Sequence, residues 1–496
     1  MIKDVEQVVE KIKFMLEESV DLASKNFLLK NKKVGLIYFK SLTNPELVSQ
    51  IIFSPLLVLN TVETTEEITI EYIKNQVMKT ADLEVVEHKK DFENQTIKLL
   101  LQGKIAIFMQ GEKDILIVDC EQVVGRSPEE PPTSAVIYGP REGFTENVKQ
   151  SLSMLRKRLP TEKFVVKDIK IGRYTETKVF VTYIKGIANP RLVKEIMTKL
   201  GKIEIDGVVD SHYVLSYLQK ESGSFLKQAG VVEKPDIVTA KLLEGRVAIL
   251  VDNSPIVLTV PFLFFEDMQN ANDYYTNPIY VSFIRVVRML SVLVASVIPG
   301  AYLALRLYHY KVLPLRFLIT IANATEGLPF TPFIELLFIL GLFQILYEVS
   351  LRLPRYLGLA TSIVGALILG DTGVNAGLIS PPGVIIIAMS IISIYAVPDQ
   401  APQLTILRFI FLILGGTVGI LGIIAFMIYV INECVKGEKY GVPYLAPYAP
   451  RIKSDLKDGL FMKSIPNMQT RPKSLNNNNL TRAVYKTKQT KTGVEE

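Results

Sequence analysis

Four polar side chains stand where the chain is otherwise apolar, and their chemistry is that of an ion path. Glu326 follows Ile321-Ala322-Asn323-Ala324-Thr325 and precedes Gly-Leu-Pro, which predicts a broken helix. Glu335 lies early in the apolar run Pro332 to Val349. Asp371 and Asn375 share the turn GDTGVNAG between two short apolar runs. Polar groups at membrane depth are costly, so they mark candidate functional positions. Carboxylates repeated as rings by oligomer symmetry select cations. The competing reading is interfacial placement or Glu–Arg pairing inside a bundle, and for Glu348 and Arg408 that reading is preferred.

Enzyme chemistry has no comparable signal. The chain has 2 cysteines and 3 histidines. Cys120 and Cys434 cannot build a disulfide scaffold or a cysteine metal site. His88, His212 and His309 share no ligand spacing. No nucleophile–base pair stands out. Neither a G-x-x-x-x-G-K-[ST] loop nor a strand–G-x-G-x-x-G–helix unit is present. The expectation is a protein that is not an enzyme and holds no metal or cofactor.

The elements that position these residues change character near residue 285. Before it the chain reads as a charged α/β protein. After it come apolar runs at Met289 to Leu305, Pro332 to Val349, Leu357 to Leu369, Val384 to Val397 and Leu404 to Ile431. Several approach or exceed the roughly 20 residues that cross a bilayer. A mean hydropathy of +0.27 over 496 residues therefore averages two unlike halves. The net charge of +6 is concentrated around and after the apolar region. That suits a membrane-lipid surface, and no basic stripe interleaved with aromatics suggests nucleic acid. Residues 1–30 carry charges between their apolar positions, so no signal-peptide core is expected.

The expected organisation is a first cytoplasmic α/β subdomain at 1–130, a second at 131–280, a helical membrane domain at 281–435, and a basic, largely disordered tail at 436–496. About five spans are expected, or six passes if 317–330 crosses or re-enters. Arg285, Arg288, Arg352 and Arg355 favour a cytoplasmic soluble half by the positive-inside rule. Strict alternation through five spans puts the tail outside, whereas its many basic residues argue for inside. Small residues at Gly365, Gly370, Gly415, Gly416, Gly419 and Gly422 permit close helix approach.

The soluble half repeats itself. KVGLIYFKSLTNPELV from Lys33 resembles KVFVTYIKGIANPRLV from Lys178, and LLQGKIAIF from Leu100 resembles LLEGRVAIL from Leu242. The offsets, 33 to 178 and 100 to 242, are 145 and 142 residues. Two features in one order at nearly one offset predict a tandem duplication of an α/β unit. Both Asn-Pro pairs predict a capped helix start. Between the repeats, residues 125–144 are rich in Gly, Pro and acidic residues and predict an extended linker. The helix that follows, Thr145 to Leu159, is expected to place Lys149, Arg156 and Arg158 on its polar face.

Further motifs are Gly125-Arg126-Ser127 with Glu129-Glu130-Pro131; Gly139-Pro140-Arg141-Glu142-Gly143-Phe144; Leu155-Arg156-Lys157-Arg158; Gly172-Arg173; Asp206-Gly207; Lys234-Pro235-Asp236; and Glu244-Gly245-Arg246. In the apolar half they are Asp273-Tyr274-Tyr275, Ile363-Val364-Gly365-Ala366, Gly370-Asp371, Ala376 to Ser380 and Gly441 to Pro447. On these motifs the chain resembles the GerA family, the A-type subunits of nutrient germinant receptors of endospore-forming bacteria, over about residues 25–475. Asn189 stands where family members often have Asp, and caps a helix about as well.

The resemblance implies a spore inner-membrane protein. Its partners would be a B-type transporter-like subunit and a C-type lipoprotein. The A-type subunit would form a homo-oligomer that opens a ligand-gated cation path. Gly139, Pro140, Arg141, Glu142, Gly143, Gly172, Arg173, Asp206, Gly207, Glu244, Gly245 and Arg246 would be structural or coupling residues. Alternatives are a paralogous channel or scaffold subunit that amplifies ion or dipicolinate release, or a solute transporter. A transporter would need repeat symmetry in the membrane half, and the repeat lies in the soluble half.

Overall fold

The computed structural model describes the chain except residues 1, 3, 18, 62–67, 79–82, 88–91, 121–128, 132–133, 135, 220–225, 353–362, 364, 366 and 484–496. The motif at 125–127, His88, Arg355 and much of the apolar run 357–369 lie outside the described residues. Two compact units emerge. One comprises Met1–Phe262, Lys439–Val442 and Ile465–Glu496; the other comprises Leu263–Glu438 and Pro443–Ser464.

The first unit holds two five-stranded sheets. One consists of β1 (Leu22–Leu29), β2 (Lys32–Phe39), β3 (Leu83–Glu87), β4 (Lys104–Met109) and β5 (Asp114–Asp119), in the order β1-β2-β4-β5-β3. The other consists of β6 (Phe164–Ile171), β7 (Thr177–Ile184), β8 (Gly230–Val232), β9 (Val247–Val251) and β10 (Val257–Val260), in the order β6-β7-β9-β10-β8. Both are antiparallel throughout, and the two orders are the same. This is the duplication that the sequence repeat predicts.

Alternation along each strand feeds two cores per sheet. In the first sheet Leu36, Ile105 and Leu116 meet the helical residues 45–61, whereas Ile37, Phe108 and Ile115 meet helices α1 (Val5–Met15) and α2 (Phe92–Leu101). The second sheet is covered by α3 (Val148–Arg158) and α6 (Pro235–Leu243) on one face, and by α4 (Pro190–Gly201) and α5 (Ser211–Gln219) on the other. The Asn-Pro signals do what their chemistry predicts. Asn44 accepts from the Glu46 N–H at 2.9 Å and Asn189 from the Arg191 N–H at 3.0 Å, each with proline in the first turn.

The second unit is helical: α7 (Pro278–Leu307), α8 (Leu315–Thr325), α9 (Pro332–Arg352), α10 (Pro381–Ile394), α11 (Ala401–Thr417) and α12 (Ile420–Lys436). Pro278–Leu307 and Pro332–Ser350 are long and apolar enough to cross a membrane. Pro381–Ile394 and Pro398–Thr417 together pass the same test but meet at a bend of 107°. α7 and α11 cross where Gly300 faces Gly415; a β-carbon on either would overlap the other helix's backbone. The Ser390 hydroxyl ties α10 to α7 by donating to the Ala295 carbonyl at 2.6 Å.

Two expectations change here. The run Leu404 to Ile431 is not one span but breaks between α11 and α12, at Gly419. That residue has φ +79° and ψ −153°, a conformation open to glycine and strained for other residues. The tail, expected from composition to be largely disordered, is folded through residue 483. It buries Met468, Arg471, Ser474 and Leu475, because its asparagines and arginine find backbone partners that polar composition alone does not reveal.

Candidate functional site

Glu335 is the centre of the helical unit's buried polar chemistry. It sits in the first turn of α9 and is 1% exposed. Its Oε1 accepts from the Ser380 N–H at 2.8 Å and from the Ser380 hydroxyl. The same hydroxyl accepts from the Gly383 N–H at 3.1 Å and so caps α10. Oε2 lies 3.7 Å from Nη1 of Arg306, near the end of α7. One carboxylate thus joins α7, α9 and the N-terminus of α10, where helix-end N–H groups favour a negative charge.

Arg306 also reaches a cavity of about 460 Å³ that it lines with Tyr310, Asn323, Thr325 and Glu326. Glu326 is the exposed residue that ends α8, followed by Gly327 at φ +78°, so the broken helix expected there is present. Asp371 and Asn375 lie elsewhere, exposed, with the Asn375 amide donating to Asp371 at 2.8 Å. Arg306 therefore stands between Glu335 and the cavity of Glu326, while the Asp371–Asn375 pair forms a separate polar spot. Glu348 is not buried against an arginine of another helix: it pairs with Arg352 on the exposed side of α9. Arg408 lies in mid-α11, 2% exposed, and its Nε and Nη1 have no hydrogen-bond partner among the described residues.

A second polar cluster opens α7. Arg285 is fully buried and binds Asp273 Oδ2 at 2.9 Å, Asp458 Oδ1 at 3.0 Å and the Gly459 carbonyl at 2.6 Å. Arg288 binds both oxygens of Asp273, at 2.9 and 3.0 Å. These arginines, read from sequence as membrane-surface charge, are neutralised inside the unit. Asp458 lies in the polar tail, so composition gave no reason to single it out.

In the soluble unit most of the motif residues lie in turns and in the strap between the repeats. Lys234, buried, donates to the Pro140 carbonyl at 2.6 Å and holds the Gly-Pro-Arg-Glu-Gly strap. A β-carbon on Gly143 would meet the Glu129 carbonyl at 2.9 Å. Gly139 has φ +103° in the same strap. Glu142 pairs with Arg158 at 2.7 Å, whereas Arg141 is 69% exposed and 3.9 Å from Glu130. Gly172 and Gly207 flank Thr175, and the Asp206 carbonyl accepts from the Tyr174 N–H at 2.9 Å. The Arg173 side chain is exposed and lies 3.7 Å from the exposed Glu204.

Arg246 donates to the Pro261 carbonyl at 2.9 Å. The neighbouring turn receives the tail. Asn477 donates to the Glu244 carbonyl at 2.5 Å, and Arg471 donates to the Leu243 carbonyl at 2.7 Å. Gly245, at φ +100°, leaves room for the Asn477 side chain where any β-carbon would collide.

Arg156 departs most from expectation. It is not on the polar face of α3 but buried, joining Asp21 through Nε at 2.6 Å and Nη2 at 2.7 Å. Ser19 and Ser41 complete the carboxylate's partners, and the guanidinium lies over the Phe39 and Phe164 rings. Burial opposes ionisation of Asp21, but the Arg156 charge and these hydrogen bonds outweigh it and hold the carboxyl below its ordinary range.

The architecture is thus a duplicated α/β module joined to apolar helices long enough to cross a membrane, with carboxylate chemistry inside the helical unit. The family model described as Bacillus/Clostridium GerA spore germination protein matches residues 10–474. The chain belongs to the GerA family. It is 33% identical over 449 residues to spore germination protein KA of Bacillus subtilis, covering 88% of this chain and 81% of that one. It is 31% identical over 461 residues to spore germination protein A1 of the same organism, covering 91% and 93%. The crystal structure of the N-terminal domain of the A subunit of the Bacillus megaterium spore germinant receptor GerK3 aligns at 25% identity and a TM-score of 0.40, over 52% of this chain and 95% of that chain.

Proposed function

We propose that this chain is the A-type subunit of a spore germinant receptor in the spore inner membrane, its soluble module on the core side. It works with a B-type transporter-like subunit and a C-type lipoprotein. Its soluble module transduces the nutrient signal, and its helices assemble as a homo-oligomer into a ligand-gated cation path that starts germination. The observation that carries the reading is the buried Arg306–Glu335–Ser380 junction. The carboxylate is compensated by Arg306 and Ser380, the Glu–Arg pairing that sequence offers as the competing reading; what favours the ion path is that this pairing ties three helices, whose relative movement would open or close a path. Glu326, Asp371 and Asn375 are exposed and serve as the cation-facing groups, with Glu335 as the latch behind Glu326.

The test is cation flux from liposomes holding the purified protein, alone and with the B-type subunit, for wild type and the variants E326Q, E335Q and D371N. Flux that changes in selectivity for E326Q or D371N, and in opening for E335Q, supports the assignment. A folded oligomer that conducts nothing in either setting would make the chain a scaffold for another channel.

A further inference from the structure

The geometry points to a binding site for an organic anion at the bend between α10 and α11, separate from the Glu335 junction and independent of the ion-path reading. A cavity of about 430 Å³ opens there. Its walls come from three helices: Phe343, Gln344 and Tyr347 of α9, Ile391, Ile394 and Tyr395 of α10, and Thr405 and Arg408 of α11. The size falls within the range of small-molecule sites, and so does the composition, which is mostly apolar with a few polar groups.

Arg408 determines the ligand's charge. It is almost fully buried, lines the cavity, and leaves Nε and Nη1 without hydrogen bonds among the described residues. A guanidinium keeps its charge, and a buried cation with two donor atoms unsatisfied is costly for a fold to carry. Of the acidic side chains nearby in sequence, Glu348 of α9 is committed to Arg352, and Asp399 in the turn before α11 is exposed. The N-terminus of α11 has no side-chain cap at Gln400, so its field also favours a negative charge.

The ligand's other end is set by the walls. Phe343, Ile391 and Ile394 demand an apolar body, and the exposed rings of Tyr347 and Tyr395 also line the cavity. The class is therefore a carboxylate or phosphate carried on an apolar chain or ring. Two sources share that chemistry: the anionic lipid of the surrounding bilayer, or a soluble organic carboxylate.

The experiment uses the whole 496-residue chain in phosphatidylcholine nanodiscs and reads the thermal unfolding midpoint. One arm replaces part of the lipid with phosphatidylglycerol. The other adds octanoate, with octanamide as the uncharged control. The expected result is a rise in midpoint with phosphatidylglycerol, octanoate or both, and none with octanamide. A rise in the first arm alone assigns the lipid, and a rise with octanoate assigns a soluble anion. R408M should abolish the rise. T405L, which narrows the cavity and keeps the charge, should weaken the apparent affinity roughly tenfold, and it serves if R408M does not fold. The proposal is overturned if neither anion moves the wild-type midpoint or if the rise survives in both variants. It is also overturned if R408M dissociates the oligomer with no anion effect in wild type, because the partner of Arg408 would then be a second copy of the chain.

Discussion

Arg156 and Asp21, separated by 135 positions in the chain, form a two-pronged ion pair that joins the second α/β repeat to the first. Around it, the Val20 N–H donates to the Val166 carbonyl at 3.3 Å, and Lys185 pairs with Glu17. The join is made in a dry place, so its energetics are those of a buried pair. Breaking one partner strands a charge, whereas replacing both with apolar groups removes two desolvation costs. R156M or D21L alone should destabilise the soluble module by about 3–5 kcal/mol. The double variant should lose much less than the sum, measured by chemical denaturation with both repeats monitored.

The same pair sets an acid limit. The native state holds Asp21 ionised below the ordinary aspartate range, so the unfolded chain binds the additional proton there. Stability from this group is complete above roughly pH 4 and falls as pH drops through the depressed native value. Asp210 acts in the same window. Its burial is outweighed by hydrogen bonds from Ser254 and His212, which bring it down to about 2. Unfolding followed from pH 6 to pH 2 should show a loss that flattens in D21N.

Cys120 follows the end of β5 and is buried, and burial with the nearby Asp119 charge pushes its thiol up to about 11. Only the thiolate reacts at a useful rate. Cys120 should therefore resist maleimide at neutral pH in the native protein and react fully once unfolded. Rapid native labelling would show that the first repeat opens there.

At the α7–α11 crossing, Gly415 has the Gly300 backbone where its side chain would be. G415V should cost at least 1–3 kcal/mol through overpacking. The readout is the midpoint of thermal unfolding in detergent, with soluble-module proteolysis unchanged as the control.

The strap between the repeats separates two basic residues with similar sequence prominence. Arg141 is exposed, and R141A should leave stability within about 0.5 kcal/mol. Lys234 is buried on the Pro140 carbonyl, and K234M should cost about 1–3 kcal/mol. Loss of germination in R141A with unchanged stability would identify Arg141 as a coupling residue.

The fold was legible where it follows from local chemistry. The Asn-Pro caps at Asn44 and Asn189 and the Gly-rich joints before β4 and β9 carry the duplication openly. The polar sites were legible only by half. Glu335 stands out in an apolar run, but its partners Arg306 and Ser380 come from other helices, and no spacing rule links them. Arg156 was hidden by its own neighbourhood, since Leu-Arg-Lys-Arg looks like a solvated helix end. Asp458 was hidden by a polar composition that reads as disorder. The break at Gly419 was hidden by apolarity that continues through it, because hydropathy does not register a backbone angle.

Synthesis order gives the tail's return a separate significance. Asn477 seals the turn at Glu244, 233 positions earlier. At ribosomal rates of roughly 5–20 residues per second, that turn waits about 10 to 50 s before its cover exists. Through that interval the nascent second repeat carries an unfinished face, and a chain cut short before Arg471 never closes it. Completion of the soluble module thereby becomes a late event in the life of each newly made molecule.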